Sequence, residues 1–296
     1  MIKTLKILEN FDIRLDKYLK NNYTSLTQSF IEKNIRKKNI LINNNKTSSN
    51  YIVKKNDNLK ILNYDEEKYK NKIIFKKLIN ISKESIKQFE KSIIFQNDNF
   101  LILNKWSSIA TQAGSKIDFS IDDIIKKISS EYKLVHRLDK DTSGLLIISK
   151  NRNFAKIFGK LFKSKLIDKT YLAVCEGVPR LKNSIVDLDI KDKFDKINKT
   201  KTFYKLLYKN NGLSIILFKP MTGKTHQLRI VSKNLSCPIV GDTKYNYQSK
   251  FNKEILKLNA HILRFSINNK DYEFFSELPI DFLNFIKKNK LKYSKI

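Results

Sequence analysis

Chemistry is concentrated in one short stretch, His136-Arg137-Leu138-Asp139-Lys140-Asp141-Thr142-Ser143-Gly144. A carboxylate beside an arginine, on a loop that feeds the buried apolar run Leu145-Leu146-Ile147-Ile148, is placed for catalysis. Asp141 is the nearest second acid, but it sits in the same loop. That is poor geometry for opposed acid and base roles, because glycosidic hydrolysis uses carboxylates facing each other across the bond. A second chemical stretch runs from Pro220 through Gly223-Lys224-Thr225 to His226-Gln227-Leu228-Arg229. It lacks the leading Gly-x4 of a phosphate-binding loop, so a nucleotide cofactor is not supported. Cys175 and Cys237 form no CxxC pair, and His136, His226 and His261 show no HExxH spacing. Neither a metal, a disulfide framework nor any cofactor is therefore expected.

The elements that must position these residues fall into a small and a large domain, the natural division of 296 residues. Residues 11–64 read as the small one. Leu15, Tyr18 and Leu19 share one helix face; Phe30, Ile31 and Ile35 mark a second helix whose other face carries Lys33, Arg36, Lys37 and Lys38. Ile40-Leu41-Ile42 reads as a short strand and Asn43-Asn44-Asn45 as a tight turn, with strands at Tyr51–Val53 and Leu59–Leu62 to close the unit. Residues 65–90 are charged and without clear period, and read as a linker with some local helix. Residues 91–296 form the large domain. Strands are expected at Phe100–Leu103, Leu145–Ile148, Thr170–Val174 and Leu213–Phe218, and helices at Ile121–Ser129, Phe154–Lys163 and Gln227–Leu235. Without a strict βαβ rhythm, this is an α+β chain with a mixed, largely antiparallel sheet and flanking helices.

The string from His136 to Gly144 resembles the HRLDxxTSG signature of the RluA-type pseudouridine synthases. Asn97 to Lys105, Lys169-Thr170-Tyr171-Leu172-Ala173-Val174, the Gly223 to Arg229 segment, and Pro238 to Asp242 with Tyr245 resemble further family segments in the same order. Arg14-Leu15-Asp16-Lys17-Tyr18-Leu19 and the basic helix after it resemble the αL RNA-binding motif first seen in a small-subunit ribosomal protein. The resemblance implies an enzyme that isomerises uridines in structured RNA after turning the base out of its stack. It implies Asp139 as the catalytic carboxylate, attacking the sugar or taking a proton while a glycal-like intermediate forms. It implies Arg229 as the arginine that pairs with Asp139, Tyr171 as a stacking ring whose hydroxyl can help remove the C5 proton, and Arg137 as the side chain that fills the space left by the base. Leu228 would be pocket wall or plain core, His136 an RNA contact or a structural hydrogen-bonder, and Lys33, Arg36 and Lys37 phosphate contacts or a solvated face. Asp141, Thr142 and Ser143 are expected to shape the loop by bonding their own backbone, and Gly144 to let the turn enter the strand.

The sequence departs from the family pattern in four places. Lys38 and Asn44 stand where glycine is usual, Trp106 follows Lys105 where proline is usual, and Leu258-Asn259-Ala260 lacks a common histidine. Ala110-Thr111-Gln112-Ala113-Gly114-Ser115 resembles the RluC-type branch, which modifies large-subunit ribosomal RNA; tRNA or another RNA is the alternative target. The net charge of +30 attracts polyanions, although an excess of Lys, Asn and Ile also follows from AT-rich codon usage. With no signal-like apolar segment at residues 1–10 and no span-length apolar run, a cytoplasmic monomer without membrane contact is expected. A non-catalytic ribosome-assembly factor of the same fold would have lost Asp139, Tyr171 or Arg229, and all three are present.

Overall fold

The computed structural model describes residues 1–71, 81–113, 119–192 and 195–293. The chain divides into two compact units, Met1–Leu78 and Ile79–Ile296.

The first unit contains β1 (Lys3–Lys6), α1 (Leu15–Asn22), α2 (Gln28–Arg36), β2 (Ile40–Ile42), β3 (Asn45–Lys46) and β4 (Asn58–Ile61). Its antiparallel sheet has the order β1-β4-β2-β3. Leu15 and Leu19 of α1 and Ile31 and Ile35 of α2 pack into one core with Ile40, Ile42, Leu59 and Ile61 of the sheet. Thr27 caps α2 by accepting from the Phe30 N–H. Buried Asp16 joins the two helices, accepting from Arg14 (2.7 Å) and from the Gln28 amide (2.9 Å). Lys38 and Asn44 both take left-handed backbone, at φ +61°. The usual glycine turns are thus made without glycine, and Asn43 and Asn44 form the two-residue connection of the β2–β3 hairpin. The unit is longer at both ends than residues 11–64. Lys3–Lys6 pair with β4, and Tyr64 and Tyr69 pack into the core. Tyr51–Val53 contributes only an isolated bridge between Ile52 and Arg14.

The second unit contains α3 (Lys83–Lys91), β5 (Ile93–Gln96), β6 (Phe100–Lys105), α4 (Ile121–Ile128), β7 (Lys133–Leu134), β8 (Ser143–Ser149), α5 (Arg152–Lys163), β9 (Asp168–Glu176), β10 (Asn183–Lys191), β11 (Ile197–Asn210), β12 (Leu213–Pro220), α6 (Gln227–Asn234), β13 (Leu258–Ile267), β14 (Lys270–Phe275) and α7 (Ile280–Lys288). One mixed sheet runs β10-β11-β12-β9-β13-β8-β6-β5, with β14 added to β13 and β7 to β8. Every pairing is antiparallel except β13 with β8. The apolar runs in β6 and β8 are continuous because both faces are covered. Leu101, Leu103, Leu146 and Ile148 pack with Ile121, Ile124 and Ile125 of α4, while Phe100, Ile102, Leu145 and Ile147 pack with Phe158 of α5. In β9, Ala173 and Cys175 face Val231 of α6, and Leu172 and Val174 face Phe282 and Phe285 of α7. Tyr171 belongs to both the α4 cluster and the α6 cluster, so it marks the seam between two half-cores on one side of the sheet.

The parallel β8–β13 contact is only two residue pairs long, Ser143 with Asn259 and Gly144 with Ala260. Gly144 has φ +106°, and a β-carbon there would lie 2.3 Å from the Ala260 carbonyl oxygen. Only glycine allows the two backbones to approach this closely. Asn259 donates to Ser143 Oγ at 2.9 Å and ties the same junction. Gly144→Ala is therefore expected to lower unfolding stability by at least about 2 kcal/mol, as strained backbone and core overpacking do. Urea unfolding measures this, and an unchanged midpoint would show that the junction is not fixed as described.

Candidate active site

Asp139 lies on the loop between β7 and β8, and its neighbours on either side are held by residues from elsewhere in the chain. Before it, the buried Thr111 hydroxyl donates to the Leu138 carbonyl (2.7 Å) and accepts from the Leu138 N–H (3.1 Å). After it, the Lys140 carbonyl accepts from Lys105 Nζ at 3.1 Å. That ammonium, almost fully buried, also donates to the carbonyls of Trp106 (2.9 Å) and Ile109 (3.0 Å). Burial drives the Lys105 pKa down to about 7 against the pull of Asp141 and Asp139, while three carbonyl acceptors engage all three donors of the charged form. The turn that follows Lys105 closes around this ammonium, with Ser108 at φ +65°, so Trp106 needs no proline in its place. The loop itself is closed by the Thr142 N–H bonding the Asp139 carbonyl. Asp141 and Thr142 make no side-chain bond to the loop backbone among the described residues, and Ser143 Oγ reaches Leu258 instead. The expectation that these three residues shape the loop is corrected: distant clamps shape it.

Asp139, Arg137, His136, Tyr171, Leu228 and Arg229 all line one cavity of about 310 Å³, within the size range of ligand sites. Lys169 and Lys224 line it too, and Asp139 is the one acid among its lining residues. Leu138, Tyr171, Leu228 and Leu258 supply apolar wall at the seam between the half-cores, so Leu228 is core and pocket wall at once. Arg137 is exposed at the rim. Lys33, Arg36 and Lys37 are exposed in the first unit, on or just after α2.

One expectation changes in detail. Arg229 makes its ion pair with Asp242, not with Asp139. Its Nε and Nη2 donate to the Asp242 carboxylate at 2.8 and 2.6 Å, and both side chains are buried. Burial pushes the Asp242 carboxyl upward, but the Arg229 hydrogen bonds and the N–H groups of Tyr245 and Lys244 outweigh it and hold the group below its ordinary value. Burial likewise weighs against the Arg229 charge, and Asp242 first, then Asp139, more than restore it. Arg229 is thus a fixed cation in the Asp139 cavity, aimed by a second carboxylate. The Asp242 partnership is not legible in the sequence, because the resemblance over Pro238 to Asp242 gives residues and no pairing.

His136 is held inside the fold rather than offered to a ligand through its Nε2, which accepts from the Ile147 N–H at 2.8 Å while the ring stacks on Phe162. Burial, then the charge of Lys169, pushes its pKa down to about 3, so it is a neutral acceptor. Burial first, and Asp139 second, push the Tyr171 phenol up, and it too stays neutral. His226, a residue without an assigned role in the sequence, also lines the cavity. It sits at φ +55°, with Nδ1 3.0 Å from the Tyr245 hydroxyl, and no spacing signal would have found it.

A hydrogen-bonded carboxylate loop, a fixed arginine, a neutral tyrosine and a basic rim suit uridine chemistry on RNA, and similarity to known proteins agrees. The RNA pseudouridylate synthase family model matches residues 99–234. The chain belongs to the RluA-type pseudouridine synthases. It is 37% identical over 295 residues to the ribosomal large subunit pseudouridine synthase C of Rickettsia typhi, covering 91% of this chain and 95% of that protein. It is 40% identical to the protein of the same description from Rickettsia bellii, covering 78% of this chain and 82% of the relative. Among solved structures, human RNA pseudouridylate synthase domain containing 4 shares the fold, with a TM-score of 0.63 at 23% identity over 71% of this chain and 97% of that one.

The His136 geometry carries a pH signature. The unfolded chain takes up a proton near pH 6.5, whereas the folded chain resists until about pH 3, so stability falls as pH drops below about 6.5 and the loss levels off near 3. His261, pushed down by burial to about 4, adds to the same window. His136→Gln, which can still accept from Ile147, should give a melting temperature that declines less steeply between pH 6.5 and 4. An identical decline would remove His136 from the interior role.

Proposed function

We propose that this enzyme converts uridines of large-subunit ribosomal RNA to pseudouridine, with Asp139 as its catalytic carboxylate. The observation that carries this reading is the convergence of Asp139, Tyr171 and Arg229 on one cavity, with Asp139 clamped at both flanking residues. The target class rests on the similarity to the Rickettsia enzymes, whose names specify the large ribosomal subunit. The reaction breaks the glycosidic C–N bond, turns the base, and forms a C–C bond to the same sugar, so it needs no redox step and no cofactor.

In this reading the uridine leaves its stack at a cost of a few kcal/mol, and exposed Arg137 occupies the gap. The uracil enters the seam and stacks on Tyr171. Asp139 attacks the sugar or accepts a proton as a glycal forms; either step uses a carboxylate already placed. Arg229, oriented by Asp242, stabilises the negative charge that moves between Asp139 and the base. Tyr171 acts through its ring and as a neutral hydrogen-bonding phenol, since its raised pKa disfavours a phenolate base.

The first unit serves as an αL-type RNA-binding domain, with Lys33, Arg36 and Lys37 on phosphates. Two helices packed on a small sheet and the exposed basic end of α2 support this. The protein works as a cytoplasmic monomer in this reading; among the described residues no helix is long and apolar enough to cross a membrane.

Asp139→Asn should abolish product while leaving RNA affinity within about twofold, because the substitution removes the charge and keeps the shape. Mapping pseudouridine in large-subunit rRNA with and without the wild-type and variant proteins checks it, and product from Asp139→Asn would refute the assignment. Replacing Lys33, Arg36 and Lys37 with alanine should weaken RNA binding and flatten its salt dependence by up to about 0.9 in log–log slope per lost phosphate contact. An unchanged slope would take the first unit off the RNA.

A further inference from the structure

The stretch Gly223-Lys224-Thr225-His226 separates two cavities. It lines the Asp139 cavity on one side and, on the other, a second cavity of about 570 Å³ that is also lined by Lys191, Asn198, Lys244 and Tyr245. Three features of this ridge bear on what could cross it. The backbone N–H groups of Gly223, Thr225 and His226 have no hydrogen-bond partner among the described residues, so the ridge presents donors. Gly223 is exposed and outside the left-handed region, and a β-carbon there would meet no atom within 4 Å, so neither conformation nor packing asks for glycine. Lys191, Lys224 and Lys244 are exposed, and Asp192 is the one acid among the described residues lining the second cavity, so that lining is net positive. The ridge is also pre-organised. Buried Gln227 accepts from the Lys224 N–H (3.0 Å) and from Thr222 (2.9 Å), and donates to Thr202 (2.9 Å) and to the Lys201 carbonyl (3.3 Å). It thereby pins the ridge to β11.

We infer that the ridge binds a backbone phosphate of RNA, the one joining the uridine in the Asp139 cavity to the neighbouring nucleotide, which occupies the second cavity. A turned-out nucleotide stays tied to its chain, so when two cavities share a wall the phosphate between adjacent nucleotides must cross it. The wall here supplies what a phosphate takes: free N–H donors, a glycine that leaves them uncovered, and lysines on the flank. The assignment of the nucleotide to each side rests on the uridine-isomerase reading, whereas phosphate binding by the ridge does not.

The test uses the full chain and a short fluorescent oligouridylate. Gly223→Val adds a branched side chain beside the N–H groups at a position where a β-carbon meets no atom within 4 Å, and a Lys224→Ala/Lys244→Ala double variant removes flanking charge. Lys209→Ala, at the other end of β11, is the control. Both ridge variants should raise Kd about tenfold and lower the log–log salt slope by about 0.7 per lost phosphate contact, with the control unchanged. The melting temperature of Gly223→Val should match wild type. Wild-type affinity and slope in both ridge variants, or no oligouridylate binding by the wild type, overturns the site. Pseudouridine formation is scored separately on unmodified rRNA. If the wild type forms none but Gly223→Val still loses oligouridylate affinity, the isomerase reading falls and the phosphate site stands. If the wild type is active and the ridge variants bind and turn over as it does, the site falls and the isomerase reading stands.

Discussion

The structure depends on how the backbone around one carboxylate is held. Asp139 lies between two clamped peptides, Leu138 fastened through both its N–H and its carbonyl to the Thr111 hydroxyl, and Lys140 fastened to the ammonium of Lys105. Both clamps come from β6 and the chain just after it. The Asp139 loop therefore takes its position from a strand about 35 residues earlier, and not from its own side chains. These bonds lie away from bulk water, where a lost partner leaves a polar group unsatisfied at a cost of about 1–3 kcal/mol each. The clamp is accordingly stiff, and a reacting group gains most from a position fixed before the substrate arrives.

The electrostatics follow the same division between fixed and free groups. Arg229 and Asp242 are a buried, doubly bonded pair; breaking such a pair by removing one partner typically costs about 3–5 kcal/mol. The pair keeps a cation in the cavity without spending the Asp139 charge on it. His136 and Tyr171 line the same space in neutral form. Among the described lining residues, the negative charge is thus confined to one carboxylate, faced by Arg229 and rimmed by Arg137, Lys169 and Lys224.

Much of this was legible in the sequence, for identifiable reasons. The continuous apolar runs in β6 and β8 announce strands covered on both faces, and α4, α5 and α6 have apolar stripes of helical period. Gly144 was legible as a strand entry. The long β10–β11 hairpin was not read, although Val186, Leu188 and Ile190 alternate with Asp187, Asp189 and Lys191; its inward apolar residues are few, and exposed Ile185 and Ile197 blur the period. Strand β1 was hidden for a similar reason, since only alternate residues of Lys3–Lys6 are even half-buried. The site residues emerged from motif resemblance, but their pairings did not. Sequence strings identify side chains and do not say which lone pair each donor finds; hence Arg229 was assigned to Asp139 when Asp242 holds it, and Thr111 passed unnoticed as a clamp.

The double membership of Tyr171 in two half-cores has a further bearing on selectivity. A hollow cut where two packed clusters meet is bounded by aliphatic and aromatic surface on either hand, so whatever enters completes the interior rather than resting on the exterior. A flat ring that slides into such a gap restores dispersion contacts to both sides, so part of the selection is made by packing.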